Sequence, residues 1–391
     1  MNGEGSSMET KQMAETAVIA QHDWFTCIRN PEAEISFFVG IREYGSLSDF
    51  IDIRYRGGNL LAASPERVHV EKLSARRLAV TFKDSVSTTF VAPRIEFTTM
   101  HSSSVQSVDV SPSGRLAVSS DSHGRIVVWN TDTAEIIRNF VGHIFDVNRC
   151  RFFPSGLVVL SAGMDMSVRI WSVETGQCPR VLKGHKQGVV DIGIIDRGKE
   201  VLSCSKDGSV KMWNCGSAEC LRTWCPEVGV VNALSVKRSS AVSNIFGVAC
   251  EMRAAKVYDI RSDEPGITID TDGEEGTAIT FGKNSESDNL FIGTSDGSIL
   301  SYDLKAGKML AKLKTSRGAV TRLCMEDSFG LIASFHDGTV GCYEVPLNSK
   351  TAKIEFSGAD CDPIYDISAI AEGRQLYTAC RDRIVRRYTL E

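Results

Sequence analysis

Short apolar runs separated by turn residues make up most of the chain after about residue 93. In one typical stretch the runs cover residues 147–153, 157–161, 168–173 and 178–182. The sequence Pro154-Ser155-Gly156 is a turn between the first two of them. Because the runs are short and lack helical periodicity, they predict four strands of one antiparallel sheet.

Four residue types recur at fixed intervals through this region. The histidines are 42 residues apart, and a tryptophan follows each of them after 28 residues. A serine precedes each tryptophan by ten residues, and in two copies an aspartate precedes it by six. In chain order these residues are His101, Ser119, Trp129, His143, Ser161, Asp165, Trp171, His185, Ser203, Asp207 and Trp213. A period of this length predicts a β-propeller with one four-stranded blade per repeat.

Tyrosines continue the period after the last tryptophan. Tyr258, Tyr302, Tyr343 and Tyr388 follow at intervals of 41 to 45 residues, which gives seven aromatic positions. We therefore predict an all-β protein, a seven-bladed propeller preceded by a small N-terminal domain. Since the chain ends three residues after Tyr388, we expect residues 94–98 to supply the outer strand of the last blade and to close the ring.

Three regions follow from these patterns. Residues 1–18 are poor in apolar clusters and are expected to be disordered, while 93–391 form the propeller. Residues 19–92 have a globular composition without the repeat, so we expect a small N-terminal domain there. Within it, a short helix is expected at 24–28, and strands at 68–70 and 78–82.

The repeat resembles the WD40 family in Gly142-His143, Ser161, Asp165 and Trp171, and again in the next copy. The resemblance implies a structural relay in which tryptophan binds serine, serine binds histidine, and histidine binds aspartate. Such a buried chain of hydrogen bonds rigidifies a blade only when it is complete. In the first copy His123 stands at the aspartate position, so we expect an altered or broken relay there.

Composition narrows the range of functions. The net charge of −5 and the pI near 5.9 do not favour nucleic-acid binding, and the apolar runs have strand length, which does not suit a membrane span. Twelve cysteines show no C-x-x-C pair, and the evenly spaced Cys215, Cys220 and Cys225 do not make a convincing zinc site. We therefore predict neither a metal nor a cofactor. Reduced thiols and the absence of glycosylation sequons favour a cytoplasmic protein, also compatible with the nucleus, and we expect a monomer.

Catalytic motifs are weak. The segment from Gly193 to Glu200 approaches a P-loop, but Glu200 replaces the Ser or Thr that would hold Mg²⁺, and a β-turn at Gly198-Lys199 is expected instead. An enzyme on this fold would be expected to show a histidine or carboxylate cluster in the central channel, and the sequence indicates none. No catalytic residue is predicted, and we expect a protein without enzymatic activity.

A closer resemblance covers nearly the whole chain. Residues 142–161, 357–365 and 377–388, together with Asp23-Trp24 and Asp196-Arg197-Gly198, are similar to the proteasomal ATPase-associated factor family. This resemblance implies a non-catalytic assembly chaperone. Such a protein binds the C-terminal domain of a 19S regulatory-particle ATPase while the base is assembled, and restrains premature association with the 20S core.

Partner contacts are expected in two loop regions. In such propellers the loop before the first strand of a blade and the turn with the aspartate open on the same face, so Phe145, Asp146, Asp360, Asp362 and Arg381 are expected to meet there. An aromatic anchor with charged neighbours suits protein binding. In the alternative interpretation, Asp146 and Asp362 only cap turns, and Phe145 packs between blades.

A second function remains open within the binding class. The sequence Tyr258-Asp259-Ile260-Arg261 resembles the Trp-Asp-x-Arg box of cullin-ring ubiquitin ligase substrate receptors, although Tyr replaces Trp and one copy is present. The alternatives to an assembly chaperone are therefore such a substrate receptor or another scaffold.

Overall fold

The structure is a computed structural model. It describes residues 10–29, 36–46, 48–56, 59–82, 86–227, 229–237, 244–283, 288–371 and 373–390. The described residues form 36 strands and one helix of four residues. The protein is thus all-β, which confirms the predicted fold class.

The first nine strands and the helix precede the first blade. They are β1 (Lys11–Ala14), β2 (Thr16–Ala20), α1 (Trp24–Cys27), β3 (Ser36–Glu43), β4 (Asp49–Arg56), β5 (Asn59–Ala62), β6 (Val68–Ser74), β7 (Arg77–Phe82), β8 (Ser87–Val91) and β9 (Ile95–Phe97). Strands β2 to β5 pair antiparallel in chain order, as do β6 to β8. Apolar side chains of both sheets and of α1 share one core, which includes Trp24, Phe37, Ile53, Leu78 and Phe90.

The remaining strands form seven blades. Blade one is β10 (Val105–Val110), β11 (Leu116–Asp121), β12 (Ile126–Asn130) and β13 (Ile136–Phe140); blade two is β14 (Arg149–Phe152), β15 (Val158–Ala162), β16 (Ser167–Ser172) and β17 (Arg180–Lys183). Blade three is β18 (Val189–Ile195), β19 (Glu200–Ser205), β20 (Val210–Asn214) and β21 (Cys220–Trp224); blade four is β22 (Val231–Val236), β23 (Ile245–Cys250), β24 (Ala254–Asp259) and β25 (Ile267–Asp270). Blade five is β26 (Gly276–Phe281), β27 (Asn289–Thr294), β28 (Ile299–Asp303) and β29 (Lys308–Lys314); blade six is β30 (Val320–Glu326), β31 (Gly330–Phe335), β32 (Val340–Tyr343) and β33 (Ile354–Phe356). Blade seven contains β34 (Ile364–Ile370), β35 (Gln375–Cys380) and β36 (Val385–Thr389).

The blades form a closed ring. The first strand of each blade contacts the first strand of the next, and β34 contacts β10. Apolar residues fill the space between adjacent sheets, as in the core that Val118, Val128, Cys150 and Trp171 form between blades one and two. This arrangement buries both faces of each sheet, which accounts for apolar runs without alternation.

The fourth strand of blade seven comes from the segment before blade one. Strand β9 pairs antiparallel with β36, with Phe97 opposite Val385 and Ile95 opposite Arg387. The main-chain N–H of Arg94 also donates to the carbonyl of Arg387 at 2.7 Å. The last blade therefore has no unpaired edge on this side of β36.

Two N-terminal strands extend other blades in parallel. Strand β1 pairs with β29 of blade five, and β8 pairs with β33 of blade six. The prediction of disorder is therefore wrong for residues 10–18, while residues 1–9 lie outside the described part of the chain. Burial of Met13 stabilises β1, and the partner of this strand lies some 300 residues away, where local composition gives no sign of it.

A buried ionic cluster fastens this segment to blade six. The Arg317 Nε donates to both carboxylate oxygens of Glu15, at 3.1 and 3.0 Å, and the Tyr343 hydroxyl donates to the same carboxylate at 2.9 Å. A second nitrogen of Arg317 lies 2.8 Å from Glu355. Since a buried carboxylate without partners is costly, this cluster explains how Glu15 is accommodated in the interior.

Candidate partner-docking surface

Hydrogen-bonded relays hold the loop before the first strand in blades two and three. In blade two the Trp171 indole N–H donates to Ser161 Oγ at 2.8 Å, and that hydroxyl lies 2.8 Å from His143 Nε2. His143 Nδ1 faces Asp165 at 2.9 Å and therefore carries the proton. Burial alone would raise the pKa of Asp165, but the hydrogen bond and charge of His143 outweigh it and lower that pKa to about 2.

Blade three repeats this geometry with distances of 2.8, 2.8 and 2.9 Å among Trp213, Ser203, His185 and Asp207. Burial lowers the pKa of His185, which favours a neutral ring at physiological pH. These imidazoles are enclosed, and they are occupied at both nitrogens. They therefore hold loops in position and are not available to a ligand.

The relay of blade one is altered but complete. Asp121, two residues before the position occupied by His123, accepts from His101 Nδ1 at 2.9 Å. His101 Nε2 lies 2.7 Å from Ser119 Oγ, which accepts from the Trp129 indole at 3.1 Å. Of the two expected outcomes, an altered or a broken relay, the structure shows the first, because Asp121, at the end of β11, reaches the same nitrogen as the turn aspartates of the other two blades.

The loops and turns at one end of the blades form a single face, which we call the turn face. Here the loop before a first strand contacts the turn between the second and third strands of the same blade. Met164 N donates to the carbonyl of Asp146 at 2.8 Å, and Arg381 N donates to that of Pro363 at 3.0 Å. The blade-one turn at Gly124 also adjoins the backbone of Phe145. Neighbouring blades therefore present a continuous surface at this end.

Phe145 is one of four exposed apolar residues in the turn-face loops around blade two. Exposed fractions are 83% for Val141, 72% for Ile144, 56% for Phe145 and 45% for Met166. We call these four residues the blade-two patch. Phe145 does not pack between blades, contrary to the alternative interpretation, and Asp146 next to it is partly buried. Sequence reasoning identified Phe145 and missed the other three.

The other predicted contact residues lie in blade seven. Arg381 Nε donates to Asp362 Oδ1 at 2.8 Å, and both side chains reach the surface. Asp360 is exposed and lies 3.3 Å from His22 of the N-terminal region. The Ser104 hydroxyl of blade one donates to the Arg381 carbonyl at 3.2 Å, so blade one separates this group from the blade-two patch. The five predicted residues thus share the turn face in two groups and do not form one contact cluster.

Three turns of this face carry a side chain where the others have glycine. The left-handed position is occupied by Gly124, Gly208, Gly297 and Gly338 in four blades, and by Met166, Arg253 and Arg383 in the other three. A non-glycine residue at positive φ costs roughly 1 kcal/mol. These exposed side chains are retained despite the strain, and the missing glycine of the turn is the sequence signal by which they can be recognised.

Ion pairs cross the central channel, which the sequence analysis did not anticipate. Asp366 of β34 lies 2.8 Å from both Arg149 and Arg151 of blade two, and Asp191 of blade three lies 2.9 Å from Arg149 and 2.7 Å from Arg322. The expectation that the inner strands lack a carboxylate cluster is therefore wrong. Each of these two aspartates is paired with arginine. Burial alone would raise the pKa of Asp366, but the charges of its arginine partners outweigh it and hold that pKa far below its usual range.

The near-match to a P-loop is a β-turn between strands. Gly198 has a φ of +89°, and its N–H donates to the carbonyl of Ile195 at 2.8 Å. Among the described residues, no group of three or more His, Cys, Asp or Glu side chains is arranged to hold a metal ion. In the same residues no helix has the length and apolar character needed to cross a membrane.

Comparison with known proteins identifies both the repeats and the relatives. The family described as WD domain, G-beta repeat matches residues 94–130, 134–172 and 176–214. Proteasomal ATPase-associated factor 1 of Bos taurus is 39% identical over 393 residues, covering 95% of this chain and 97% of that protein. The Homo sapiens protein of the same name is 38% identical over 95% of this chain and 97% of its own length. The Gallus gallus protein is 39% identical over 97% of this chain and 99% of its own.

Proposed function

The chain belongs to the proteasomal ATPase-associated factor family of WD40-repeat proteins, and from this membership we propose that it is a non-catalytic assembly chaperone of the proteasome. It binds the C-terminal domain of a regulatory-particle ATPase during assembly of the 19S base. While bound, it restrains premature association with the 20S core. The similarity over nearly the full length to proteins named for association with proteasomal ATPases carries this proposal.

The turn face is the proposed docking surface. Phe145 and the rest of the blade-two patch supply exposed apolar area, which gives most of the binding energy in typical interfaces when it is buried at the centre. Asp146, Asp360, Asp362 and Arg381 supply charges that steer association and fix orientation. The relays beneath the loops of blades one to three limit the ordering that binding must impose there.

The proposed mechanism is steric and depends on mass action. A rigid ring that occupies the C-terminal domain of an ATPase covers surface that the 20S core would approach. Because the free ATPase subunit is held in the complex, the equilibrium shifts away from early core engagement in proportion to the chaperone concentration. This action requires no nucleotide chemistry by the chain. We propose that it takes place in the cytoplasm and also in the nucleus.

Binding to isolated ATPase domains tests the proposal. The full chain is immobilised, and the C-terminal domains of the regulatory-particle ATPases are presented one at a time in surface plasmon resonance. At least one domain is expected to bind. Phe145→Ala should then weaken affinity about tenfold or more, as for a central aromatic contact. Charge reversals Asp146→Lys and Asp362→Lys should lower the association rate roughly threefold to tenfold at low salt.

Glu135→Lys is the matched control, because Glu135 is exposed in the turn between β12 and β13 at the opposite end of blade one. Its binding should equal that of the wild type. Unchanged binding in all three turn-face variants would reject the proposed surface. If no ATPase domain binds, and affinity purification recovers a cullin adaptor instead, the assembly chaperone is rejected in favour of a substrate receptor.

A further inference from the structure

Blade seven lacks the relay that holds the corresponding loop in blades one to three. Each relay histidine precedes its serine by 18 residues, and the residue 18 before Thr378, the counterpart of those serines, is Asp360. The chain contains no histidine after His336. Asp382, at the turn-aspartate position, is bound by Arg386 at 2.6 Å. No imidazole therefore supports the loop 357–362 from within its own blade.

The N-terminal region supports this loop from outside. Trp24 is fully buried, and its indole N–H donates to Ser357 Oγ at 2.9 Å. The main-chain N–H of Ser357 donates to the carbonyl of Val91 at 3.0 Å, and its carbonyl accepts from the Tyr388 hydroxyl at 3.0 Å. At the other end of the loop, Asp360 lies 3.3 Å from His22.

The backbone of the loop requires such support. Gly358 has a φ of +127° and Cys361 a φ of +55°, and the second is a conformation that residues with a side chain seldom adopt. Ala359 between them is buried in the core of blades six and seven. The surroundings must therefore hold the turn from Cys361 to Asp362, which places the Asp362 carboxylate beside Arg381.

We propose that the N-terminal region positions the 357–362 loop for partner binding, and that Trp24 acts there as the substitute for the missing relay. This inference rests on the proposed docking of an ATPase domain to the turn face. Trp24 does not touch the partner; it raises the fraction of molecules whose Asp362 is in the binding conformation. His22 contributes less, because its pairing with Asp360 is exposed to solvent.

A double-mutant cycle on the full chain tests the coupling. Trp24→Phe keeps an aromatic ring in the core and removes the indole N–H; Ser357→Ala removes the acceptor from the other side of the same bond. Each single substitution is expected to weaken binding of the ATPase C-terminal domain about threefold to tenfold. The double variant should bind no more weakly than either single variant. In an Asp362→Asn background, the effect of Trp24→Phe should fall below about twofold, since the group that it positions has been altered.

The matched background is Phe145→Ala, because Phe145 lies in a loop held by a relay of its own blade. There Trp24→Phe should keep its full effect. Amide hydrogen exchange of Asp360, Cys361 and Asp362 supplies a readout independent of binding, and it should accelerate in both Trp24→Phe and Ser357→Ala. An equal effect of Trp24→Phe in the two backgrounds, or unchanged affinity in both single variants, would overturn the inference.

The same experiment separates this inference from the proposed function. If the wild-type chain binds none of the ATPase domains, the function is wrong, and accelerated exchange in the loop would still support the positioning role. If the wild type binds and the cycle shows no coupling, the function stands and the positioning role is rejected. Should Trp24→Phe fail to fold, Ser357→Ala decides the outcome, because it leaves the N-terminal core unaltered.

Discussion

At the scale of single residues, Arg317 serves two buried carboxylates. It binds Glu15 through Nε and Glu355 through a terminal nitrogen. Burial raises the pKa of Glu355 to about 7, although the charge of Arg317 opposes this change. The folded state therefore binds a proton at this group in a pH range in which the unfolded chain has already released it.

The sign of the resulting pH dependence follows from linkage. Between the ordinary glutamate pKa of 4.5 and the folded value of about 7, the folded state holds more protons than the unfolded state. The stability that the protonated Glu355 side chain contributes is fully present below pH 4.5, and it is lost as the pH rises through about 7. Glu355→Gln should remove that loss and increase the free energy of unfolding at pH 8 by about 2 kcal/mol relative to its effect at pH 5.

Urea unfolding at pH 5, 6, 7 and 8 measures this difference. Glu344→Gln is the matched control, because Glu344 is exposed and pairs with the exposed Lys353. Its stability difference from the wild type should not vary over the range. Parallel pH profiles for Glu355→Gln and the wild type would contradict the raised pKa of Glu355.

At the scale of strands and turns, the sequence predicts the strands that recur with the repeat. It does not predict the strands whose partners are distant along the chain. The period of His, Ser and Trp leads to the strands of each blade, and the predicted 94–98 segment contains β9, which pairs with β36. Strands β1 and β8 carry no repeat, and their parallel partners are far away in sequence. A local pattern cannot reveal such pairs, because the burial of Glu15 depends on a distant arginine.

The candidate contact residues likewise divide into those that the sequence predicts and those that it does not. Phe145 and Arg381 were found because the resemblance points to their loops, and Val141, Ile144 and Met166 were missed because single apolar residues near turns have no periodicity. The charged residues of the channel do follow a pattern in the sequence. Ser107, Arg149 and Asp191 are each 42 residues apart, so a polar residue recurs in the first strand of three successive blades, where an apolar one would be expected.

The turn of blade two gives a prediction that links strain to binding. Met166 has a φ of +61°, where Gly124 and Gly208 occupy the same position in the adjacent blades. Met166→Gly should increase the free energy of unfolding by roughly 0.5 to 1 kcal/mol by relieving strain. It should also weaken the proposed binding to the ATPase domain about threefold, because it removes part of the blade-two patch.

Thermal unfolding and surface plasmon resonance measure the two effects of Met166→Gly. Gly208→Ala is the reverse control, since a methyl group there would lie 3.0 Å from the carbonyl oxygen of Gly229 at a φ of +77°. That variant should be destabilised and should bind normally. A Met166→Gly protein less stable than the wild type would show that the methionine side chain supports the fold.

At the scale of the whole molecule, charges across the channel join blades that are not neighbours. Asp366 of blade seven contacts Arg149 and Arg151 of blade two, and Asp191 of blade three contacts Arg322 of blade six. The first strands on each side are thereby connected through the centre of the ring. The antiparallel pairing of β9 with β36 closes the same ring at its outer strands.

These charges predict a large loss of stability when one partner is removed. In Asp366→Asn, the buried guanidinium group of Arg151 loses the carboxylate that binds it, and Arg149 keeps only Asp191. Removal of one member of a buried ion pair typically costs about 3 to 5 kcal/mol, because the remaining charge stays desolvated.

We therefore expect Asp366→Asn to lose free energy of unfolding by this amount, as measured by urea unfolding followed by circular dichroism. Asp263→Asn is the control, because Asp263 is exposed and its partner Arg222 also reaches solvent, and it should change stability by less than about 0.5 kcal/mol. Since the relays and loops of the turn face do not include Asp366, the folded fraction of the variant should bind the ATPase domain with wild-type affinity. Equal stability of the two variants would mean that the channel is hydrated enough to screen its charges, and that closure of the ring depends on β9 and the apolar cores between blades.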